Sequence, residues 1–264
     1  FCWGNMDKLV KYAKESGCVV RGHPLFWHNQ IPEWVNEFAG NDAGLKKIMD
    51  EHALTIVDRY KDTVISWDVV NEIFSDESEI YRKTIWYEAL GESFVERAFC
   101  LAREAAPNGL LLLNEYNGHI AEKRKKIVDR VMYFRKKGIP IDGIGIQGHY
   151  NITYPSIDMV IEEIEEYVRL DLSIQITELD VSLFDFFDRR IDLKKPTTDM
   201  INSQQRFYEE LFKLYEEYRD HISGVTFWGV ADDYTWLDNY PVENRKDWPL
   251  LFDENLYYLL LSPF

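Results

Sequence analysis

The chain has 264 residues, with 46 Asp and Glu against 30 Lys and Arg and a formal net charge of −16. That length suffices for one large α/β domain with a sizeable core, and that charge repels phosphate backbones and anionic lipid, which argues against nucleic-acid and membrane partners. Aromatic residues make up 15% of the chain, and their flat faces stack on the apolar faces of sugar rings, so composition favours a neutral carbohydrate as ligand.

In chain order, six short runs rich in β-branched and aliphatic residues read as strands: 18–28 (CVVRGHPLFWH), 64–72 (VISWDVVNE), 110–117 (LLLLNEYN), 141–150 (IDGIGIQGHY), 172–181 (LSIQITELDV) and 224–230 (GVTFWGV). Helical patterns lie between them. In the stretch 156–170, Ser156 is placed to cap a helix whose apolar stripe is Ile157, Val160, Ile161, Ile164 and Val168. A second helix is read over 202–224, with Phe207, Leu211, Leu214 and Tyr218 on one stripe, Gly224 after its end, and a polar loop at 192–199 before it. The acid-rich sides of both helices read as solvated faces. Apolar strands alternating with helices imply parallel βαβ units. The absence of any Gly-rich phosphate loop favours a (β/α) barrel over a doubly wound sheet, in a single domain spanning residues 1–264. Cys2, Cys18 and Cys100 are odd in number and lack CxxC spacing, which indicates neither a disulfide framework nor a zinc ribbon. No signal-peptide pattern opens the chain, and no cofactor or metal is expected. The triplet Asn151-Ile152-Thr153 matches a glycosylation acceptor, a pattern common by chance.

Polar and aromatic residues gather at the C-terminal side of every strand: His23, Trp27 and His28; Asn71 and Glu72; Asn114, Glu115 and Asn117; Gln147 and His149; Glu178 and Asp180; Trp228. One such end is an ordinary loop entry, but six together match a barrel whose site lies at that mouth. Two carboxylates on different strands among Trp, Tyr, Asn and His suit glycoside hydrolysis, in which one acid protonates the leaving oxygen while the other attacks the anomeric carbon or activates water. Period two sends Glu178 and Asp180 to one face. The same alternation would separate Asn71 from Glu72, so the strand must end or bulge there.

The segments RGHPLFWHNQIPEW, SWDVVNE, LLLNEYN, IGIQGHY, ITELDV and VTFWGVADDYTWL, in this order, resemble the signature segments of glycoside hydrolase family 10, the endo-β-1,4-xylanases. The resemblance implies a retaining TIM-type (β/α)8 barrel acting on xylan or xylo-oligosaccharides, with Glu72 as acid/base and Glu178 as nucleophile. It further implies that His149 and Asp180 orient the nucleophile, that Asn71 binds the sugar 2-hydroxyl, and that His23, Trp27, Gln147, Trp228 and Trp236 line the sugar site. Rival readings are a related retaining β-glucanase and a barrel that binds polysaccharide with little activity. The family also suggests a secreted protein and a cis bond at His23-Pro24. Two of its strands precede the stretch that matches here, so an incomplete barrel is expected, with a truncated or altered closing helix after PLLFDEN (249–255). Three explanations are open: this sequence omits an N-terminal part of a longer chain, the natural chain is truncated, or two copies close each other's gap, the reading favoured here. The last two imply weaker binding on the non-reducing side.

Overall fold

The computed structural model describes residues 1–257. They form two compact units, one of Phe1–Glu115 with Ala121–Gly145 and the other of Tyr116–Ile120 with the chain from Ile146 onward.

The first unit contains α1 (Gly4–Glu15), β1 (Val20–Gly22), α2 (Glu33–Asn36), α3 (Asp42–Tyr60), β2 (Val64–Asn71), α4 (Ile85–Leu90), α5 (Ser93–Ala105), β3 (Leu110–Glu115), α6 (Ala121–Lys136) and β4 (Gly143–Ile146), whose last residue belongs to the second unit. The strands lie in the order β1-β2-β3-β4, and β2 is parallel to both β1 and β3. Both faces of β2 and β3 are covered, with Trp67, Val69, Val70 and Leu111, Leu112 and Leu113 all buried, as a parallel sheet flanked by helices requires. Helix α5 packs on α3, β2 and β3. Side-chain caps start two helices: Asn41 accepts from the Gly44 amide at 3.0 Å for α3, and Thr84 from the Tyr87 amide at 3.1 Å for α4.

The second unit contains β5 (His149–Asn151), α7 (Ile157–Arg169), β6 (Ser173–Ser182), α8 (Thr198–Glu217), β7 (Ile222–Phe227) and a 3-10 turn at Trp236–Asn239. The long strand β6 is its centre, parallel to β5 on one side and paired in parallel with β7. Helices α7 and α8 pack on it.

All six runs contain strands, and the described residues hold seven because the fourth run divides. Gly148, at φ 79°, turns the chain out of β4, and β5 begins at His149. The first run keeps only three residues as β1. Beyond it the chain follows β2 loosely, with the Leu25 and Phe26 amides donating to the Asp68 and Val69 carbonyls at 2.9 and 3.2 Å. His23 and His28 therefore do not share a strand. The expected cis bond at His23-Pro24 is also corrected: the cis peptides among the described residues are Tyr154-Pro155 and Tyr240-Pro241, and the extended path along β2 keeps His23-Pro24 in the trans form that X-Pro bonds favour by about 0.5–1 kcal/mol.

Ser156 caps α7 by accepting from the Met159 amide at 3.4 Å, and Val160 and Ile164 are buried as read. Glu163 departs from the solvated face: it is buried, and the Tyr167 hydroxyl donates to its Oε1 at 3.4 Å. The second helix starts at the end of the polar loop, where Thr197 caps it, and stops at Glu217 rather than near Gly224. Ile222 instead pairs with Ile174 in the sheet, extending the strand read at 224–230, where a β-branched side chain fits better than on a helix. The expectation for a closing helix falls largely on residues 258–264, outside those described. The three cysteines are free and exposed.

Candidate active site

In the first unit, β1 and β2 deliver the polar residues. Gly22 lies so close to Trp67 that an added Cβ would stand 2.1 Å from the indole ring, so only glycine lets β1 lie against β2 here. Asp68, wholly buried in β2, takes Arg21 Nη2 on one oxygen and faces His23 Nδ1 with the other, both at 2.8 Å. His23 is thereby fixed where it leaves β1. Trp27 is held through its carbonyl, which accepts from Trp86 Nε1 at 2.9 Å, and its ring meets His28 edge-on at 5.8 Å.

Strand β2 slips register between Asp68 and Val70 and ends at Asn71. Glu72 then takes a left-handed φ of 55°, the break that placing Asn71 and Glu72 together demanded. Two contacts pin this turn: the Glu72 amide donates to the Asn114 carbonyl at 3.0 Å, and Arg82 Nε donates to the Glu72 carbonyl at 3.2 Å. The side chains form a relay of amides, Asn114 Nδ2 donating to Asn71 Oδ1 at 2.8 Å and Asn71 Nδ2 to Glu72 Oε1 at 3.3 Å. His28 Nε2 lies 3.8 Å from Glu72 Oε2. Burial pushes the His28 pKa below the usual imidazole range, with Arg82 and Lys123 adding to the effect and Glu72 opposing it. The imidazole beside Glu72 is therefore neutral at neutral pH.

In the second unit, Glu178 and Asp180 share one face of β6. The Glu178 amide donates to the Gln147 carbonyl at 2.9 Å, and His149 pairs in register with Asp180. His149 bridges the two acids, with Nδ1 2.9 Å from Asp180 Oδ1 and Nε2 3.2 Å from Glu178 Oε2. Burial works against a charge on this ring, but the Asp180 and Glu178 carboxylates outweigh it and raise its pKa to about 10. At neutral pH both ring nitrogens are protonated and donate. Trp236 Nε1 donates to the second Asp180 oxygen at 2.8 Å, and the Trp236 and Trp228 rings meet His149 at 5.0 and 6.3 Å. Gln147 is buried.

Thus His23, Trp27, Asn71 and Glu72 gather in one unit, and Gln147, His149, Glu178, Asp180, Trp228 and Trp236 in the other. Asp68, Arg82 and the bracing role of Asn114 were not singled out from the sequence. Asp68 did carry a signal, since a charge inside an apolar strand must be paired.

The model for Glycosyl hydrolase family 10 matches residues 1–258. The chain belongs to glycosyl hydrolase family 10. Among curated relatives of this family 10 chain, endo-1,4-beta-xylanase B of Paenibacillus barcinonensis is 47% identical over 255 residues, covering 95% of this chain and 77% of that protein. An endo-1,4-beta-xylanase of Geobacillus stearothermophilus is 49% identical over 241 residues, covering 89% and 73%. The crystal structure of xylanase XynB from Paenibacillus barcinonensis, complexed with a conduramine derivative, superposes with a TM-score of 0.95 at 45% identity over 98% of this chain and 80% of that one. The fold class is accordingly the TIM-type α/β barrel class of the family.

Proposed function

We propose that this family 10 chain is an endo-1,4-β-xylanase that hydrolyses internal β-1,4-xylosidic bonds with retention of anomeric configuration, both units serving one catalytic domain. The observation that carries the mechanism is the Glu178 carboxylate beside a protonated His149, itself held by Asp180. A carboxylate on a central strand, with a cation donating to it, is ionised and rigid, as a nucleophile must be. The xylanase relatives at 47% and 49% identity support the substrate.

In the first step Glu178 attacks the anomeric carbon while Glu72 gives its proton to the departing glycosidic oxygen, leaving a glycosyl ester on Glu178. In the second, Glu72 takes a proton from water, the resulting hydroxide displaces Glu178, and the sugar leaves with its original configuration. Asn71, held by Asn114, donates toward the sugar 2-hydroxyl. His23, Trp27, Gln147, Trp228 and Trp236 line the sugar site. A double displacement calls for roughly 5–5.5 Å between the two carboxyl groups.

Xylan is a polymer too large to cross a membrane, which supports a place of action outside the cell; no described helix is long and apolar enough to span a membrane. Met6, Leu9 and Tyr12 of α1 are 47%, 55% and 70% exposed, with Val19 beside them at 66%, and a second copy of the chain covering this apolar face is the partner reading. Sedimentation at micromolar concentration gives a dimer on that reading, and a monomer overturns it. For the activity, reducing-sugar release is compared on xylan and on a mixed-linkage β-glucan. The proposal expects release from xylan at least tenfold faster; equal rates favour the glucanase reading, and no release from either favours a non-cleaving binder.

A further inference from the structure

Directly after Glu72 the chain turns back on itself in a short loop, with Phe74 bridging Tyr81 in antiparallel sense. The Arg82 amide donates to the Ile73 carbonyl at 2.8 Å, and the Ser75 amide to the Ile80 carbonyl at 3.1 Å. In such a pair the N–H and C=O of Phe74 itself point away from Tyr81. Phe74 is wholly buried, so both groups need other partners. Two buried side chains supply them. Glu115, the last residue of β3, accepts the Phe74 amide on Oε2 at 3.1 Å, and Lys123, in the first turn of α6, donates to the Phe74 carbonyl at 3.0 Å. The same ammonium lies 3.3 Å from Glu115 Oε1 and donates to Asp76 Oδ1 at 2.8 Å. Asp76 accepts Arg82 Nη2 on its other oxygen at 3.2 Å, and Arg82 Nε donates to the Glu72 carbonyl at 3.2 Å. The contacts thus close a circuit that begins and ends on the backbone of Glu72 and Phe74.

The Lys123 side chain is 3% exposed and that of Glu115 1%. A buried ion pair is a poor way to gain stability, because an apolar pair of similar size often does as well or better. What this pair offers is a donor and an acceptor aimed at the C=O and N–H of one residue, two positions beyond Glu72. Glu72 itself sits at φ 55°, a conformation that a residue other than glycine keeps only where its surroundings over-determine it. We propose that Lys123, together with Glu115, is a positioning residue for the acid/base: the pair fixes the backbone just beyond the Glu72 turn and, through that turn, the place of the Glu72 carboxyl. The inference rests on the reading of Glu72 as the acid/base. Lys123 acts through Glu72, and its leverage is geometric, since a reacting group displaced by about 1 Å can cost about 10²-fold in rate.

The test compares the parent chain with Lys123→Met, with the double variant Lys123→Met/Glu115→Gln and, as a reference for the acid role, with Glu72→Gln. For each, kcat/KM is measured on xylan and on a dinitrophenyl β-xylobioside, whose leaving group needs no proton, and stability is read as the urea midpoint. Lys123→Met leaves the Glu115 charge buried and unpaired and should lower the midpoint; if it does not fold, the double variant, which removes that charge, carries the test alone. In each folded Lys123 variant the xylan-to-aryl ratio is expected to fall about ten- to hundredfold. The double variant should regain the midpoint without regaining the ratio. An unchanged ratio, an equal fall on both substrates, or a ratio restored along with the stability overturns the proposal and leaves the pair a support of the fold alone. If the parent is inactive, or Glu72→Gln shows no fall in the ratio, the acid/base reading fails separately. The crystal structure of the double variant then judges whether Lys123 positions Glu72: a carboxyl displaced by about 1 Å supports it, and one that superposes on the parent overturns it.

Discussion

The surroundings of Glu72 and of Glu178 differ in charge, and the difference matches what each acid must do. Each has a histidine near it. Burial disfavours the charge on both rings, but His149 faces two carboxylates and its pKa rises to about 10, while His28, with one carboxylate 3.8 Å away and with Arg82 and Lys123 opposing it, falls below the usual range. Glu178 therefore sits beside a fixed cation, which stabilises the anion needed for attack. Glu72 accepts from the Asn71 amide and faces His28 across 3.8 Å, a ring whose charge burial disfavours. Backbone support differs likewise: Glu178 lies inside a ten-residue strand, whereas Glu72 lies at a strand end in a left-handed turn.

The largest break in this comparison is Glu178→Gln, which removes the nucleophile and keeps the shape. Turnover of xylan should fall roughly 10⁴- to 10⁶-fold, the scale reached when a covalent nucleophile or its partner is removed, while binding in a xylan gel persists; ordinary turnover would refute the role. Next comes Glu72→Gln. On xylan, whose leaving group needs a proton, kcat/KM should drop about 10²- to 10⁴-fold, whereas a dinitrophenyl glycoside, which leaves without help, should show a much smaller drop in its first step. Equal losses on the two substrates would remove Glu72 from the acid role.

Third is His149→Gln, which leaves Glu178 and Asp180 as neighbouring carboxylates without their cation. Removing one member of a buried charge group costs about 3–5 kcal/mol, measured as a lower urea midpoint. The pH dependence gives the sign. Because the folded pKa of His149 lies above the ordinary imidazole value of 6.5, at about 10, its contribution is complete below pH 6.5 and is lost as the pH rises to about 10. Stability of the parent chain should thus decline across that window more steeply than that of the variant; parallel curves would show that the imidazolium contributes nothing. The smallest effect is expected for Asn114→Ala. It removes the amide that donates to the buried Asn71 Oδ1 and should lower kcat/KM about five- to thirtyfold, with a stability loss of about 1–3 kcal/mol from the buried acceptor left without that donor.

Much of this was legible because it depends on local chemistry. Ser156 capping α7, the shared face of Glu178 and Asp180, and the break between Asn71 and Glu72 all follow from periods of 3.6 and 2.0 residues. What escaped depends on partners distant in sequence. Asp68 is explained only by Arg21 and His23, 47 and 45 positions away. Glu163 looked like one more acid on a wet helix face until Gly118, which leaves no space for a Cβ beside it, brought the backbone close. The strand read at 224–230 begins two residues earlier, at Ile222, because β6 offered Ile222 a partner in Ile174 that no local pattern discloses. His23-Pro24 was read as cis by family likeness, and its own loop along β2 decides otherwise.

The central claim is that Glu178 is the nucleophile of a double displacement. A 2-deoxy-2-fluoro-β-xylobioside with a dinitrophenyl leaving group slows the second step more than the first, so the glycosyl-enzyme accumulates and can be digested and located by mass spectrometry. The account predicts one added xylobiosyl group, carried on Glu178 in the peptide containing ITELDV. A label on any other residue, or steady turnover to the inverted sugar with no label, would contradict it.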